Sequence, residues 1–173
     1  RQVLTWGTGD LIFLNDLFPK DWISFFAGRE TGYLKSPSDS FKVSLYQPFI
    51  NLDLVWTPVF QPDEYLNGER FTYFSPLLGE VVGAPPTLVG LEPPRTFENS
   101  ELALRLHRTL GSNEIAFYGY RGFFEQPTGY DPVPGQAVFP PLSVWGASLR
   151  GPAWGGISNA EVAWHDSRDD RSG

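Results

Sequence analysis

Polar and apolar residues alternate in the two arms of residues 101–124. In the first arm of this stretch, Leu102, Leu104 and Leu106 alternate with polar or small residues. This is the period of a β-strand and not of a helix. Turn-forming residues follow at 110–113 (LGSN), and the chain then returns with the same alternation. The pattern predicts a β-hairpin with one apolar face and one polar face.

The same period of two recurs along the rest of the chain and predicts about seven strands. They are residues 1–8, 41–47, 52–60, the two arms of 101–124, 142–150 and 157–166, and residues 69–74 are a candidate for one more. We interpret the chain as all-β, an antiparallel up-and-down meander.

The connections between these strands alternate in length. Long connections at 10–40, 61–100 and 125–140 alternate with short ones at 48–51, 110–113 and 151–156. In a meander, every second connection lies at the same end of the sheet. All long loops are therefore expected on one side and all short turns on the other, as in transmembrane β-barrels of the outer membrane.

One side of the predicted hairpins has an uncharged band of 18 residues. Its 18 residues are Phe41, Val43, Leu45, Leu52, Leu54, Trp56, Leu102, Leu104, Leu106, Ile115, Phe117, Gly119, Trp145, Ala147, Leu149, Ala160, Val162 and Trp164. Charged residues make up 19% of the chain. A lipid-facing surface explains their exclusion, because Arg or Lys at the bilayer midplane costs about 2–4 kcal/mol.

The opposite side of the strands is polar and is predicted to line a water-filled pore. The predicted pore-lining residues are Lys42, Tyr46, Asp53, Arg105, His107, Glu114, Tyr118, Arg150 and Glu161. Because both signs of charge occur, we expect weak ion selectivity at most. Residues 61–100 are the long loop predicted to fold inward as a constriction.

Composition supports the all-β interpretation. The chain has 16% aromatic residues, 18 Gly and 16 Pro, as expected for short strands joined by turns. Its net charge of −7 opposes binding to nucleic acid. The chain has no Cys, which excludes disulfides, and no Met, so we expect it to be part of a longer protein.

The first residues resemble a known group of membrane proteins. Residues 1–10, RQVLTWGTGD, are similar to a "GRQ…WG" strand, and Asn15, Pro19 and Asp21 form an N-x-x-x-P-x-D element after it. With the pattern of the whole chain, these motifs resemble Gram-negative outer-membrane barrels of the porin-like, alginate-export-like type. The resemblance implies that residues 1–173 are part of a single transmembrane β-barrel domain in the bacterial outer membrane.

This resemblance also implies a function without a chemical step. The barrel would pass a solute or polymer across the outer membrane, in contact with outer-membrane lipid and with a protein partner in the lumen or on the periplasmic side. Tryptophans near strand ends would form interfacial girdles: Trp6, Trp56, Trp145, Trp154 and Trp164.

No motif in the chain indicates catalysis, a metal or a cofactor. His107 and His165, even with Asp166, Asp169 and Asp170, lack the spacing of a metal site. No G-x-S-x-G element is present, so a hydrolase is not predicted.

Two alternative functions remain open at this point. The barrel could sheathe a partner such as a multihaem cytochrome conduit, in which case the haem belongs to the partner, because C-x-x-C-H is absent from the chain. Alternatively, the chain could be a soluble secreted β-sandwich that binds carbohydrate and buries its apolar strand faces as a core.

Overall fold

Antiparallel β-sheet makes up most of the protein, and helix is almost absent. The computed structural model describes residues 1–9, 12–75, 79–85, 89–131 and 136–168. The strands are β1 (Gln2–Val3), β2 (Pro37–Ser38), β3 (Phe41–Tyr46), β4 (Asn51–Thr57), β5 (Tyr73–Ser75), β6 (Glu80–Val82), β7 (Gly90–Leu91), β8 (Glu101–Leu110), β9 (Asn113–Phe123), β10 (Gly129–Asp131), β11 (Gln136–Val138), β12 (Pro141–Ala153) and β13 (Gly156–Asp166). The helices are α1 (Trp22–Phe26) and two 3-10 turns, Thr31–Leu34 and Phe97–Asn99. The all-β prediction is confirmed.

Six strands form one continuous sheet in the order β3-β4-β8-β9-β12-β13, which is also their order along the chain. Every neighbouring pair is antiparallel. The alternating sequence pattern therefore correctly predicted an up-and-down meander. The sheet is open, since β3 and β13 are its edge strands, and the described residues form no closed barrel.

One face of this six-stranded sheet is apolar and largely uncovered. The register places all 18 predicted apolar positions on this face, where Leu54, for example, lies between Val43 and Leu104. We call it the outer face. The large side chains exposed on it are Phe41, Val43, Leu45, Leu54, Leu102, Leu110, Phe117, Trp145, Leu149, Val162 and Trp164.

The hydrophobic core lies on the opposite face of the same sheet, which we call the inner face. Seven of its side chains come from the sheet: Val55, Ala103, Ala116, Tyr118, Tyr120, Leu142 and Val144. The N-terminal residues Leu4, Trp6 and Phe18 cover them. Burying a large apolar side chain stabilises a fold by about 1.5–3 kcal/mol. The inner face is therefore closed over part of its width by the protein's own chain.

Residues 1–8 do not form a strand of the main sheet, so that prediction is wrong. Only Gln2–Val3 is extended in a ladder, and it pairs with the short strand β2. Gly7 has φ 82°, a left-handed conformation that ends an extended strand. The backbone amide of the next residue, Thr8, donates to the Glu161 side chain and not to the carbonyl oxygen of a neighbouring strand. Trp6 is accordingly buried, and its prediction as an interfacial girdle residue is also wrong.

The short connections are tight hairpin turns. Leu110 pairs with Asn113 around Gly111 and Ser112, and Gly111 takes positive φ. The last turn is shorter than the predicted 151–156, because the ladder continues to the pair Ala153 and Gly156. Trp154 and Gly155 form the turn, both with positive φ, as type I′ hairpins require.

The long connections contain small elements of their own. In residues 10–40, predicted to be irregular, Asp21 caps α1 by accepting from the Ser24 amide at 2.7 Å. In residues 61–100, β5 and β6 form a two-stranded hairpin, so the strand predicted at 69–74 begins only at Tyr73. β7 pairs with β11 of the third long connection.

Candidate functional site

Charged side chains gather on the inner face of β3, β4, β8 and the start of β9, beside the hydrophobic core. At their centre is Asp53, whose side chain is 6% exposed. Its carboxylate oxygens lie 3.5 Å from Lys42 Nζ, 3.6 Å from His107 Nε2 and 4.0 Å from Arg105 Nη1. We call the charge cluster the five residues Lys42, Asp53, Arg105, His107 and Glu114.

Arg105 links the two carboxylates of the charge cluster. Its Nη2 donates to Glu114 Oε1 at 2.7 Å, a charge-assisted hydrogen bond. Its guanidinium carbon lies 5.9 Å from the centroid of the Tyr118 ring, at cation–π distance. The side chain of Arg105 is 19% exposed and that of Glu114 is 40% exposed. The cluster is thus half-buried and open to solvent at Glu114.

The strand register explains why these residues meet. Asp53 lies directly opposite Arg105 in the β4–β8 ladder and opposite Ser44 in the β3–β4 ladder. Ser44 Oγ donates to the Asp53 carboxylate. Arg105 in turn lies opposite Tyr118 in the β8–β9 ladder. Paired residues point to the same face, so the period of two carries the cluster across the sheet.

The charges of the cluster balance. Lys42 and Arg105 are cations, and Asp53 and Glu114 are anions, with every one of the four within 4.0 Å of an opposite charge. Such pairing leaves little net field in the space above the inner face. The geometry is suited to contact with water or a polar solute rather than to capture of one strongly charged ligand.

Four predicted pore-lining residues lie outside the charge cluster. Tyr118 is buried in the core, and its hydroxyl is 2.8 Å from Ser148 Oγ. Glu161 accepts a hydrogen bond from the Thr8 amide at 2.8 Å. Tyr46 and Arg150 are exposed near the short-turn end of the sheet.

A second polar group, unpredicted from the sequence, lies at the long-loop end of the inner face. We call the buried node the four residues Asp16, Lys20, Asp63 and Glu125. The Lys20 side chain is almost fully buried, with Nζ 3.2 Å from Asp16 Oδ1. The Lys20 amide donates to Asp63 Oδ1 at 2.7 Å, and the Asp63 amide donates to the Glu125 carbonyl at 2.9 Å. The node therefore joins all three long connections.

The buried node carries perturbed carboxyl groups next to a cavity of about 240 Å³. Burial raises the pKa of Asp63, against the effect of hydrogen bonds from Lys20, Trp22 and Gln126. Burial, followed by repulsion from Glu101 and Asp63, raises the pKa of Glu125 well above its usual value. Glu125 Oε2 is buried without a hydrogen-bond partner among the described residues. A proton on Glu125 would remove the cost of burying its negative charge.

The sequence offered little sign of the buried node. Lys20, Asp63 and Glu125 lie in Pro-rich connections without periodicity, where a charged residue ordinarily faces solvent. One weak signal was Asp63, a carboxylate between Pro62 and Glu64, near the start of the connection that follows the strand predicted at 52–60. Such a residue is well placed to anchor loop backbone.

The described residues contain no group of three or more His, Asp and Glu side chains arranged to hold a metal ion. His107 faces Asp53, whereas His165 Nε2 is 3.1 Å from the Leu14 carbonyl oxygen. Asp169 and Asp170 lie outside the described residues, as does Asp10 of the N-terminal motif. Within the described ranges, no helix has the length and apolar character needed to span a membrane.

The comparisons with known proteins return no relative. Neither a protein-family model, nor a curated protein, nor a solved structure matches this chain. Function therefore has to be argued from the two faces of the sheet.

Proposed function

We propose that this chain is part of a porin-like or export-type β-barrel of the bacterial outer membrane, and that it passes a solute or polymer without a chemical step. The observation that carries the proposal is the outer face. Large apolar side chains such as Phe117, Trp145 and Trp164 are 55%, 65% and 71% exposed there. Contiguous apolar surface of this extent on a protein marks contact with lipid or another apolar partner.

The limits of the apolar face support lipid as that partner. Arg121 pairs with Leu102 and Ser143, and Arg108 pairs with Ile115, so both arginines share the outer face. They lie beyond the two ends of the uncharged band. Arginine near a membrane interface costs little, about 0–1 kcal/mol, whereas at the midplane it is unfavourable. Charges confined to the margins are the expected pattern for a membrane-spanning strand.

Strand length is also compatible with spanning. β8, β9, β12 and β13 contain 10, 11, 13 and 11 residues. A tilted transmembrane strand needs about 9–11 residues. β3 and β4 are shorter, with 6 and 7 residues. Closure of a barrel would require further strands against the free edges of β3 and β13.

A soluble carbohydrate-binding sandwich fits these observations less well. It would bury the outer face against a second sheet. Within the described residues, the sheets other than the six-stranded one have only two or three strands.

The first test is the location and extraction of the native full-length protein. Cells are fractionated, and the outer-membrane fraction is washed with salt, then extracted with and without detergent. We expect extraction only with detergent, and an apparent mass on electrophoresis that shifts on boiling. The purified protein should form channels in a planar bilayer. Free solubility in buffer would contradict the barrel, and a copurifying haem protein would favour the sheath alternative.

A further inference from the structure

We propose that residues 4–9 and 12–18, which we call the inner segment, form the constriction of this pore. The inference rests on the proposed function. The inner segment lies on the inner face of the sheet, the side that a barrel would turn toward its lumen. Residues 61–100, predicted to fold inward, are therefore not needed to narrow the passage. Among the described residues, 61–100 contribute none to the core that covers the inner face.

Apolar contacts hold the inner segment against β9 and β12. The Trp6 ring meets the Phe18 ring edge-on, with centroids 5.0 Å apart, and lies 6.2 Å from the Tyr118 ring. Leu4 is 6% exposed, and Val144 of the sheet is 1% exposed. Because these side chains are closely packed, the segment is held in one position on the sheet.

Hydrogen bonds to β13 hold the other side of the segment. Glu161 Oε1 accepts from the Thr8 amide at 2.8 Å and from Asn15 Nδ2 at 3.4 Å. Asn159 Nδ2 donates to the Thr8 carbonyl oxygen at 3.1 Å. Because both Thr8 and Asn15 reach the same carboxylate, Glu161 joins the two limbs of the segment. This role differs from that of a freely solvated pore-lining charge.

The absence of a side chain at Gly146 makes room for the segment. A Cβ atom at Gly146 would lie 1.6 Å from Asn15 Oδ1, far inside the contact distance. At Gly7, a Cβ would similarly lie 2.5 Å from Glu161 Oε1. The segment can lie this close to the sheet because a glycine stands at both contact points, Gly146 on β12 and Gly7 on the segment.

The position of the segment defines where a solute would pass. The segment covers part of the inner face of β9, β12 and β13. It leaves the charge cluster, on β3, β4, β8 and the start of β9, exposed to the remaining space. Tyr118 marks the boundary, since it contacts Trp6 on one side and Arg105 on the other. The passage would run between the segment and the charge cluster, with balanced charges along one wall.

The test uses the clash at Gly146 in the intact protein. Gly146→Ala places a Cβ 1.6 Å from Asn15 Oδ1 and 2.9 Å from the Val162 carbonyl oxygen, so Asn15 has to move away from β12. The double variant Gly146→Ala with Asn15→Ala removes the closer of these two contacts. Gly151→Ala is the matched control, because its Cβ would lie 1.9 Å from Asn113 Oδ1, at the short-turn end of the sheet. The readouts are single-channel conductance and the largest polyethylene glycol that enters the channel.

We expect Gly146→Ala to raise conductance severalfold and to admit larger polymers, the double variant to return toward the parent value, and Gly151→Ala to conduct like the parent. Displacement is measured separately with Leu4→Cys, the sole cysteine of this chain, which should react with a water-soluble maleimide only when the segment leaves the wall. Labelling without a change in conductance would overturn the constriction while leaving the barrel intact. Failure of the parent protein to enter membranes would instead overturn the proposed function.

Gly146→Ala could prevent folding, which the loss of heat-modifiable mobility would reveal. The combination Trp6→Ala and Glu161→Ala then replaces it, because it removes the aromatic contact and the side-chain acceptor that anchor the segment, without adding atoms to β12. If this variant is labelled at Leu4→Cys and conducts more than the parent, the constriction is supported. If it is labelled and conducts no more, the constriction is contradicted.

Discussion

The backbone amide of Asp63 donates to the carbonyl oxygen of Glu125 at 2.9 Å, so two long connections meet there. Lys20 completes the contact from a third connection, through its amide bond to Asp63 Oδ1. The loops on the long-loop side are therefore not independent of one another. They share one buried node whose charge state depends on pH.

The first prediction concerns that pH dependence. Because burial raises the pKa of Glu125 in the folded state above its usual value of 4.5, the folded protein binds more protons than the unfolded chain above that pH. Stability from this group is greatest below pH 4.5 and falls as the pH rises through the folded pKa. The pKa of Asp63 is also raised in the folded state, so its contribution to stability likewise falls as the pH rises above its usual value of 3.8.

Glu125→Gln should weaken this dependence, since an amide cannot ionise. We expect the variant to lose less thermal stability than the parent protein between pH 4.5 and pH 8. The measurement is the unfolding midpoint in detergent micelles across that range. The exposed Glu98→Gln serves as a control and should follow the parent curve. A variant curve parallel to that of the parent would contradict the assignment.

The second prediction concerns the outer face. Phe117 lies in the middle of the apolar run of β9, with Leu106 and Ala147 beside it. Phe117→Arg should lower the free energy of unfolding in lipid by about 2–4 kcal/mol if this position faces the bilayer core. Denaturant unfolding in lipid vesicles measures the difference.

Tyr46→Arg is the matched control for Phe117→Arg. It replaces another exposed aromatic residue, but on the inner face and near a short turn. Surface substitutions of this kind change stability by about 0.5 kcal/mol or less. Equal small effects of both substitutions would mean that Phe117 faces water, which would count against a lipid-facing sheet.

The sequence predicted the sheet better than it predicted what covers the sheet. Asp53 and Arg105 could be assigned to one face of the sheet before any contact was known. In a strand, successive side chains point to opposite faces, so the sequence alone decides on which face each residue lies. Trp6 could not be placed, because its local pattern fits a strand equally well. Its burial depends on Gly7 and on a partner, Tyr118, that is far away in the chain. The node of Lys20, Asp63 and Glu125 is likewise a tertiary contact without local periodicity.

The third prediction concerns ion selectivity. The balanced charge cluster predicts a weakly selective channel, and Asp53→Asn removes its central anion while leaving Lys42 and Arg105 in place. The preference should shift toward anions, as measured by the reversal potential across a salt gradient. Glu98→Gln removes a negative charge outside the inner face and should leave the reversal potential unchanged. A strong preference of the parent channel for anions or for cations would contradict the proposal that the balanced charges of the cluster line the passage.

Asp53→Asn should also cost stability. Asp53 is buried and accepts from Ser44, so its loss leaves neighbouring cations less well compensated, at a cost of about 1–3 kcal/mol. Glu114→Gln should cost less, because the Glu114 side chain is 40% exposed. The order of the two unfolding free energies tests the burial of the cluster independently of conductance. A larger loss of unfolding free energy for Glu114→Gln than for Asp53→Asn would contradict the assignment of Asp53 as the centre of the charge cluster.

The fourth prediction concerns the last hairpin turn. Trp154 has φ 49° and is 99% exposed, so its ring gains no packing that would offset the left-handed backbone conformation. Asn tolerates this conformation much better, and Asn-Gly is the preferred pair for a type I′ turn. Trp154→Asn should therefore raise the free energy of unfolding in micelles by about 1 kcal/mol. Trp154→Ala, which removes the same ring but keeps the backbone penalty, separates the two contributions. If both variants are less stable than the parent, the Trp154 ring contacts lipid at the interface, and the aromatic girdle outweighs the strain of the turn.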